Sequence, residues 1–483
     1  MQRVEEAVAP PPAPVLVVDL DGTLIKTDLL FETVLAFLKQ SPLSLPSLAL
    51  WLARGKANLK ERIAERTEID VGSLPYNAEF LDFLRAEHAA GRKIWLATAS
   101  DRRLAERVAA HVGIFDRVLA TENGRNLAGQ AKLDALLSDL GPNAFDYAGN
   151  APVDLLIWPQ ARRALVVHPE RGVETAAARR FTVERVFPRE KTRWTAYLNV
   201  IRLHQWVKNL LIFVPLLLAH RANQLPLVID GLIAFLAFGM TASSAYVLND
   251  LLDLTADRHH PRKRKRPFAS GDLPLSAGFW LVPTLLAAAG ALTVLLPRAF
   301  GVVLVIYLAG TLAYSFKLKH HPMLDVMTLA GLYTLRIIAG VTAVALAPTF
   351  WLLAFSVFIF LSLALVKRYS ELRVMQREGK QEARGRGYHV GDLTILSAAG
   401  IASGYLAVLV LALYVNSPEI LRLYRTPEAI WLLCALLLYW VSRMWMITHR
   451  GDMHDDPIVF ALTDRPSLVI GALAAAIVVG AAL

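Results

Sequence analysis

The stretch NDLLDLTADRHHPRKRKRP, Asn249 to Pro267, closes a long apolar segment with a group of polar and acidic residues and follows them with a basic run. Asp250, Asp253 and Asp257 stand at i, i+3 and i+7, with Asn249 beside the first, and on a helix that spacing gathers them along one face. Like charges so placed repel one another unless a cation lies between them. The pattern predicts a metal site at the end of an apolar helix. Whether that helix lies in a membrane or in a soluble core decides the fold.

Composition favours the membrane. The 483-residue chain is 55% hydrophobic with a formal net charge of +10, a combination that fits basic loops between membrane spans better than a soluble enzyme. The excess charge reads as membrane topology, and no nucleic-acid partner is expected. Residues 1 to about 190 mix charged and apolar residues as a globular domain does. From about 206 onward, apolar runs of roughly 17 to 25 residues recur, long enough to span a bilayer. Two domains are therefore expected, 1–190 and 191–483. About nine candidate spans follow, roughly 206–221, 226–249, 278–297, 299–316, 323–345, 349–366, 394–415, 427–447 and 466–482.

Charge asymmetry orients them. With residue 190 in the cytoplasm, loops on that side hold Arg258, the Arg262 to Arg266 run, Lys317, Lys319, Lys367, Arg368, Arg373, Arg377, Lys380, Arg384, Arg386 and Arg450. The opposite loops hold little more than Arg221, Arg298, Arg422 and Arg425. This agrees with the positive-inside rule and predicts a multi-pass protein of the inner (plasma) membrane with its polar chemistry on the cytoplasmic face. The N-terminal MQRVEEAVAPPPAP lacks an apolar signal-peptide core. The single cysteine, Cys434, excludes an intrachain disulfide.

Asn249, Asp250, Asp253 and Asp257 match, position by position, the NDxxDxxxD motif of the UbiA superfamily of intramembrane prenyltransferases, which the chain resembles over about 194–483. The resemblance implies Mg²⁺ held by these four residues against a substrate diphosphate. Mg²⁺ is a hard ion that prefers oxygen ligands and commonly combines a few carboxylates with substrate phosphates. The aromatic prenyltransferases of the family carry a second aspartate-rich motif. The corresponding stretch here, YSFKLKHHPMLDVMTLAG, offers Asp325 as its only acid, beside Lys317, Lys319, His320 and His321.

That departure, together with RLHQWVKNLLIF (202–213), LYTLRIIAG (332–340), KRYSEL (367–372) and DPIVFALTDR (456–465), is similar to the polyprenyl-phosphate phosphoribosyltransferase branch, typified by decaprenyl-phosphate phosphoribosyltransferase. The branch implies 5-phosphoribosyl 1-diphosphate as donor and a polyprenyl monophosphate as nucleophile. Lys208, Lys317, Lys319, Arg336, Lys367 and Arg368, with Asp325, are the candidate phosphate-binding residues. Arg336 stands out because it lies well inside a span, where an unpaired charge is costly; a salt bridge to Asp325 is the structural alternative. The basic run at 262–266 reads as a topology and lipid-surface signal. His259 and His260 show no metal-ligand spacing.

The N-terminal region carries its own signature. VLVVDLDGTLI places Asp19 and Asp21 at the end of a β-branched apolar run, a buried strand. This resembles motif I of the haloacid dehalogenase (HAD) superfamily, which implies Asp19 as phosphoryl-accepting nucleophile and Asp21 as general acid/base. Thr98 in IWLATAS, with Ser100 as alternative, and Lys132 in GQAKLDALL fit its second and third motifs. In FDYAGNAPVDLLIW the fourth motif keeps Asp154 but has Asn150 at its first acidic position, which removes one charge from an expected Mg²⁺ site. An α/β Rossmann-type HAD-like domain with a small helical cap over about 29–90 is expected, followed by an all-α membrane domain of UbiA type.

Three functions are compatible with these features. The first is transfer of phosphoribose to a polyprenyl phosphate, with the HAD-like domain acting on the lipid-linked product or serving only as a scaffold. The second is transfer of a prenyl group from its diphosphate to an aromatic or other acceptor. The third makes the membrane part a lipid-binding anchor.

Overall fold

Six short runs in the first two-fifths of the chain form a single parallel sheet: β1 Val15–Val18, β2 Ile94–Asp101, β3 Arg117–Thr121, β4 Phe145–Gly149, β5 Arg163–Val167 and β6 Val183–Phe187. Strands covered on both faces need continuous rather than alternating hydrophobicity, and VLVV and FDYAG are buried almost throughout. The strand order is β3-β2-β1-β4-β5-β6. It reverses between β1 and β4, so a crevice opens beyond the carboxyl ends of those two strands. Asp19 follows β1, Thr98 and Ser100 lie within β2, and Asn150 follows β4.

The computed structural model describes residues 13–189, 194–379, 387–418, 420–453 and 456–482. Most of the MQRVEEAVAPPPAP segment and the basic residues Lys380, Arg384 and Arg386 lie outside the described residues. The chain divides into two compact units, Met1–Val200 with Val247–Leu281, and Ile201–Tyr246 with Val282–Leu483.

In the first unit, helices Leu29–Gln40, Leu45–Ala53, Lys56–Ala64 and Ala78–Ala89 occupy the connection between β1 and β2. Asp28 caps the first by accepting a hydrogen bond from the Leu30 amide at 2.7 Å. Phe37, Leu48, Leu59 and Ile63 give the first three a small core of their own. The same unit contains the short helices Leu254–His259 and Pro267–Ser270. Gly271 ends the latter at φ +79°, and a Cβ there would come within 2.7 Å of the Lys26 Cβ, so only glycine allows this approach.

Among the described residues, eight helices are long and apolar enough to cross a membrane: Leu225–Leu252, Leu275–Thr293, Arg298–Phe316, Leu324–Ala343, Phe350–Arg377, Val390–Val415, Pro427–Arg450 and Arg465–Ala482. A ninth is counted if Trp194–Ile201 and Leu203–Leu218, bent by 41°, form one span. The first span expected at 206–221 thus corresponds to the second arm of a bent pair, a broken span or a re-entrant loop. Arg202 sits at its break in the left-handed region, φ 55° and ψ 49°, and an irregular 3-10 run, Leu203–Phe213, follows. That run carries Lys208 and Asn209, whose side chains find partners within the protein. Non-helical backbone at membrane depth is tolerated where protein buries it.

Candidate functional site

Three groups of polar side chains stand out, and the opening motif supplies the first. The last turn of helix Leu225–Leu252 presents Asp250, and helix Leu254–His259 presents Asp257; both are buried. Arg266, eighteenth of the quoted stretch's residues and last of its basic run, swings back between them. Its Nη1 donates to Asp250 Oδ1 at 3.0 Å and to Asp257 Oδ2 at 2.6 Å. Lys39, from the helix Leu29–Gln40, donates to Asp253 Oδ1 at 3.0 Å. Asn249 is half-buried next to Asp250.

Among the described residues no three acidic, histidine or cysteine side chains converge as a complete metal cage. Two buried carboxylates nevertheless meet one cation, and the donors are hard oxygens. That set fits Mg²⁺, which is commonly held by one or two carboxylates and completed by substrate phosphates.

The second group lies in the other unit. Asp456 caps helix Pro457–Thr463 through the Ile458 amide at 3.2 Å, while its Oδ2 accepts from Lys208 Nζ at 2.7 Å and from Lys367 Nζ at 3.3 Å. Burial alone would raise the Asp456 carboxyl, but the Lys367 and Lys208 ammonium groups outweigh it and hold it well below the usual carboxylate range.

Next to Lys208, Asn209 accepts from Arg336 Nε at 3.0 Å. Gly340, one turn after Arg336, makes this possible: a Cβ there would lie 2.0 Å from the Ile212 carbonyl oxygen, so only glycine lets the two backbones approach so closely. Arg336 also donates to the Leu332 carbonyl and the Tyr307 hydroxyl, and its guanidinium lies over the rings of Phe238, Tyr307 and Tyr333. None of these hydrogen bonds goes to a carboxylate, so the salt bridge to Asp325 weighed from the sequence is not formed.

Asp325 is instead fully buried against Arg368 at 2.5 Å and accepts from the Tyr388 hydroxyl, while Arg368 also pairs with Glu371. Lys317 is exposed beyond helix Arg298–Phe316, and Lys319 is half-buried in the turn that follows. The candidate phosphate ligands thus separate: Lys208, Lys367 and Arg336 form one network, Asp325 and Arg368 another.

The third group surrounds the carboxyl end of β1. Lys132 Nζ donates to Asp19 Oδ1 at 2.7 Å, and burial of the lysine is outweighed by Asp19 and Asp154, which keep it charged and raise its pKa. Ser100 Oγ donates to Asp21 Oδ2 at 2.8 Å and Thr98 Oγ1 does so at 3.3 Å. Both sequence candidates for the second motif therefore reach the same carboxylate. Burial, Asp28 and Asp19 push Asp21 up to about 7.

Asp154 accepts from the amides of Asn150 and Ala151, each at 2.9 Å, and from the Tyr147 hydroxyl at 2.9 Å; burial and the Asp19 charge raise it to about 6. Asn150 Oδ1 accepts from Thr23 Oγ1 at 3.1 Å. Asp19, Asp154 and the Asn150 carbonyl fit a divalent cation with one negative charge fewer than two carboxylates beside Asp19 would give. Such an array, with one carboxylate clamped to a lysine and a neighbour protonated near neutrality, suits attack on a phosphate monoester followed by protonation of the leaving oxygen.

Several participants escaped the sequence reading. Asp456 had a usable signal, since Asp before Pro at the start of an apolar run is a helix cap. Lys39 carries no local signal, because its partner Asp253 is 214 residues away, whereas Arg266, Asp28 and Tyr147 stand close in sequence to their partners but read as a basic run, a helix cap and a strand residue.

The model for the UbiA prenyltransferase family matches residues 210–464, and that for haloacid dehalogenase-like hydrolase matches residues 16–155. The chain is 38% identical to the uncharacterized protein y4nM of Sinorhizobium fredii, over 95% of this chain and 89% of that one. It is 38% identical to nodulation protein NoeC of Azorhizobium caulinodans, over 58% of this chain and 91% of that one. It is 35% identical to decaprenyl-phosphate phosphoribosyltransferase of Mycobacterium tuberculosis, over 38% of this chain and 61% of the mycobacterial protein.

Proposed function

Since the chain belongs to the UbiA prenyltransferase family and carries a haloacid dehalogenase-like hydrolase domain ahead of its membrane spans, we propose that it is a polyprenyl-phosphate phosphoribosyltransferase. In this reaction a phosphate oxygen of a polyprenyl monophosphate attacks C1 of 5-phosphoribosyl 1-diphosphate, the bond from C1 to the diphosphate oxygen breaks, and pyrophosphate leaves. The nucleophile is already an anion at neutral pH and needs no strong base. The demand on the protein is to hold two anionic substrates that repel each other.

The observation that carries this reading is the network of Lys208, Lys367 and Arg336, in which Asp456 pairs with the two lysines while Arg336 bonds to Asn209. Transfer of a prenyl group to a neutral aromatic ring has no second phosphate to bind. The likeness to the mycobacterial phosphoribosyltransferase supports the same assignment. Asp250, Asp253 and Asp257, with Asn249, would hold Mg²⁺, which when bound supplies charge neutralisation for the departing pyrophosphate. Lys208, Lys367 and Arg336 hold phosphate oxygens, and the positive-inside pattern supports a reaction at the cytoplasmic face of the inner membrane.

The HAD-like domain is proposed to act next, on the 5-phosphate of the lipid-linked product. Asp19 attacks phosphorus, Asp21 protonates the departing ribose oxygen, and water then releases phosphate from the aspartyl group. Purified protein in detergent, given Mg²⁺ and radiolabelled 5-phosphoribosyl diphosphate, should move label into lipid only when polyprenyl phosphate is present. Label that stays in the aqueous phase, with product formed instead from a prenyl diphosphate and an aromatic acid, would replace the proposed reaction with prenyl transfer. Supplying lipid-phosphoribose to Asp19→Asn tests the second site, where phosphate release should be lost while transfer is retained.

A further inference from the structure

The segment Pro42–Ala53, reading PLSLPSLALWLA, is a short apolar helical stretch too short to span a membrane. A soluble domain would turn such a segment inward. Here it is turned out: Leu43 is 96% exposed, Leu45 61%, Leu50 53% and Leu52 50%, and only Leu48 is buried. Four exposed leucines on one twelve-residue segment concentrate apolar surface, which in soluble proteins marks a surface that something covers.

What covers it is indicated by its neighbours within the same unit. The preceding helix, Leu29–Gln40, is fastened to residues that flank two candidate spans. Glu32 accepts a bidentate pair from Arg258, at 2.5 and 3.1 Å, with both side chains buried. Lys39 meets Asp253, immediately beyond the span Leu225–Leu252. Phe31 packs on Phe279, ring centres 5.2 Å apart, within the span Leu275–Thr293. The helix is thus held against the ends of these two candidate spans, and Leu43 follows Lys39 by only four residues.

Charge agrees with this placement. Between Glu32 and Glu61 the chain has no acidic residue, while Lys39, Arg54 and Lys56 are basic and exposed. Leucines inserted among acyl chains with lysine and arginine at the headgroups is the composition of an interfacial helix.

We propose that Pro42–Ala53 is a membrane-docking element of the HAD-like domain, with Leu43, Leu45, Leu50 and Leu52 inserted into the headgroup and acyl boundary of the bilayer that the spans of the same chain cross. Docking would keep the cap beside the lipid surface, where a lipid-linked phosphate monoester presents its head group. The inference rests on the membrane character of the chain and not on which lipid substrate it uses.

The test uses full-length protein in nanodiscs containing anionic lipid. A nitroxide is attached at Leu50→Cys in a Cys434→Ala background, and a second sample carries it at Glu174→Cys, on the exposed face of helix Val173–Arg180. Relaxation by oxygen, which concentrates in acyl chains, and by a water-soluble nickel chelate is then compared. The Leu50 label should be reached by oxygen and shielded from nickel, and the Glu174 label should show the reverse. Equal nickel access at both positions would overturn the proposal. Exclusion of both reagents at Leu50 would also overturn it, because protein rather than lipid would then cover the patch. Both positions are exposed, so neither label perturbs the core.

Discussion

Asp250 and Asp257 share a single guanidinium, that of Arg266, and the contact sets what each carboxylate should be worth. Asp257→Asn removes a charge from the group proposed to hold Mg²⁺ and should lower transfer by at least about a hundredfold, as for loss of a main electrostatic contributor. Near-normal turnover at saturating Mg²⁺ would remove the acid group from the site. Arg336→Met keeps the apolar stem and deletes a charge that, among the described residues, no carboxylate offsets by hydrogen bonding. It should raise KM for a phosphate-bearing substrate; unchanged kinetics with a lowered melting temperature would make Arg336 structural. Asp21 titrates in the HAD-like site. Its pKa rises from 3.8 to about 7, so its contribution to stability is fully present below 3.8 and is lost as pH rises through about 7. Asp21→Asn should therefore melt above wild type at pH 8 and level with it at pH 4, and equal melting at both values would refute the raised pKa. The aspartate motif was legible because it is written in local spacing, while Asp19 with Asp21 and Lys132 belong to separate motifs whose side chains the fold brings together. Partners were not legible: Asp325 reads as a phosphate-site acid until Arg368 is found folded against it.

The helix Leu29–Gln40 shows what periodicity reveals of an element and what it conceals. Its apolar pattern and the Asp28 cap predict a helix, yet Glu32 would be read as an ordinary first-turn acid that favours the helix dipole. It is instead buried on Arg258, more than 200 residues away. Removing one member of a buried ion pair strands the other, at a cost of about 3–5 kcal/mol. Glu32→Gln should accordingly lower the melting temperature of the full chain, and Glu32→Gln with Arg258→Met should recover much of the loss. A double variant as unstable as the sum of its singles would show that the two residues act independently. The spans were the most legible elements, because a bilayer demands length and apolarity together. The exception is the first, where hydropathy marked a span at 206–221 and the chain bends at Arg202 and runs on as a 3-10 stretch that sets Lys208 and Asn209 among their partners. Hydropathy averages over a window and cannot register a polar group that is satisfied within the protein.

At the scale of the whole molecule, a boundary drawn at the last charged stretch before the spans separates two compositions, but compact units follow contacts. Val247–Leu281 therefore groups with the N-terminal residues, bringing the aspartate motif Asn249–Asp257 into one unit with the HAD-like fold. A chain that carries both activities gains from the tether, since a product released at one site meets the other at high effective concentration. The two proposed reactions also leave distinct phosphorus species, which makes one experiment decisive for both. Purified full-length protein with Mg²⁺, polyprenyl phosphate and 5-phosphoribosyl diphosphate is followed by ³¹P NMR. The expected result is a growing phosphodiester resonance matched by pyrophosphate, with inorganic phosphate appearing later and only while Asp19 is intact. Absence of a phosphodiester, with pyrophosphate formed when a prenyl diphosphate and an aromatic acceptor are supplied instead, would contradict the assignment of phosphoribosyl transfer.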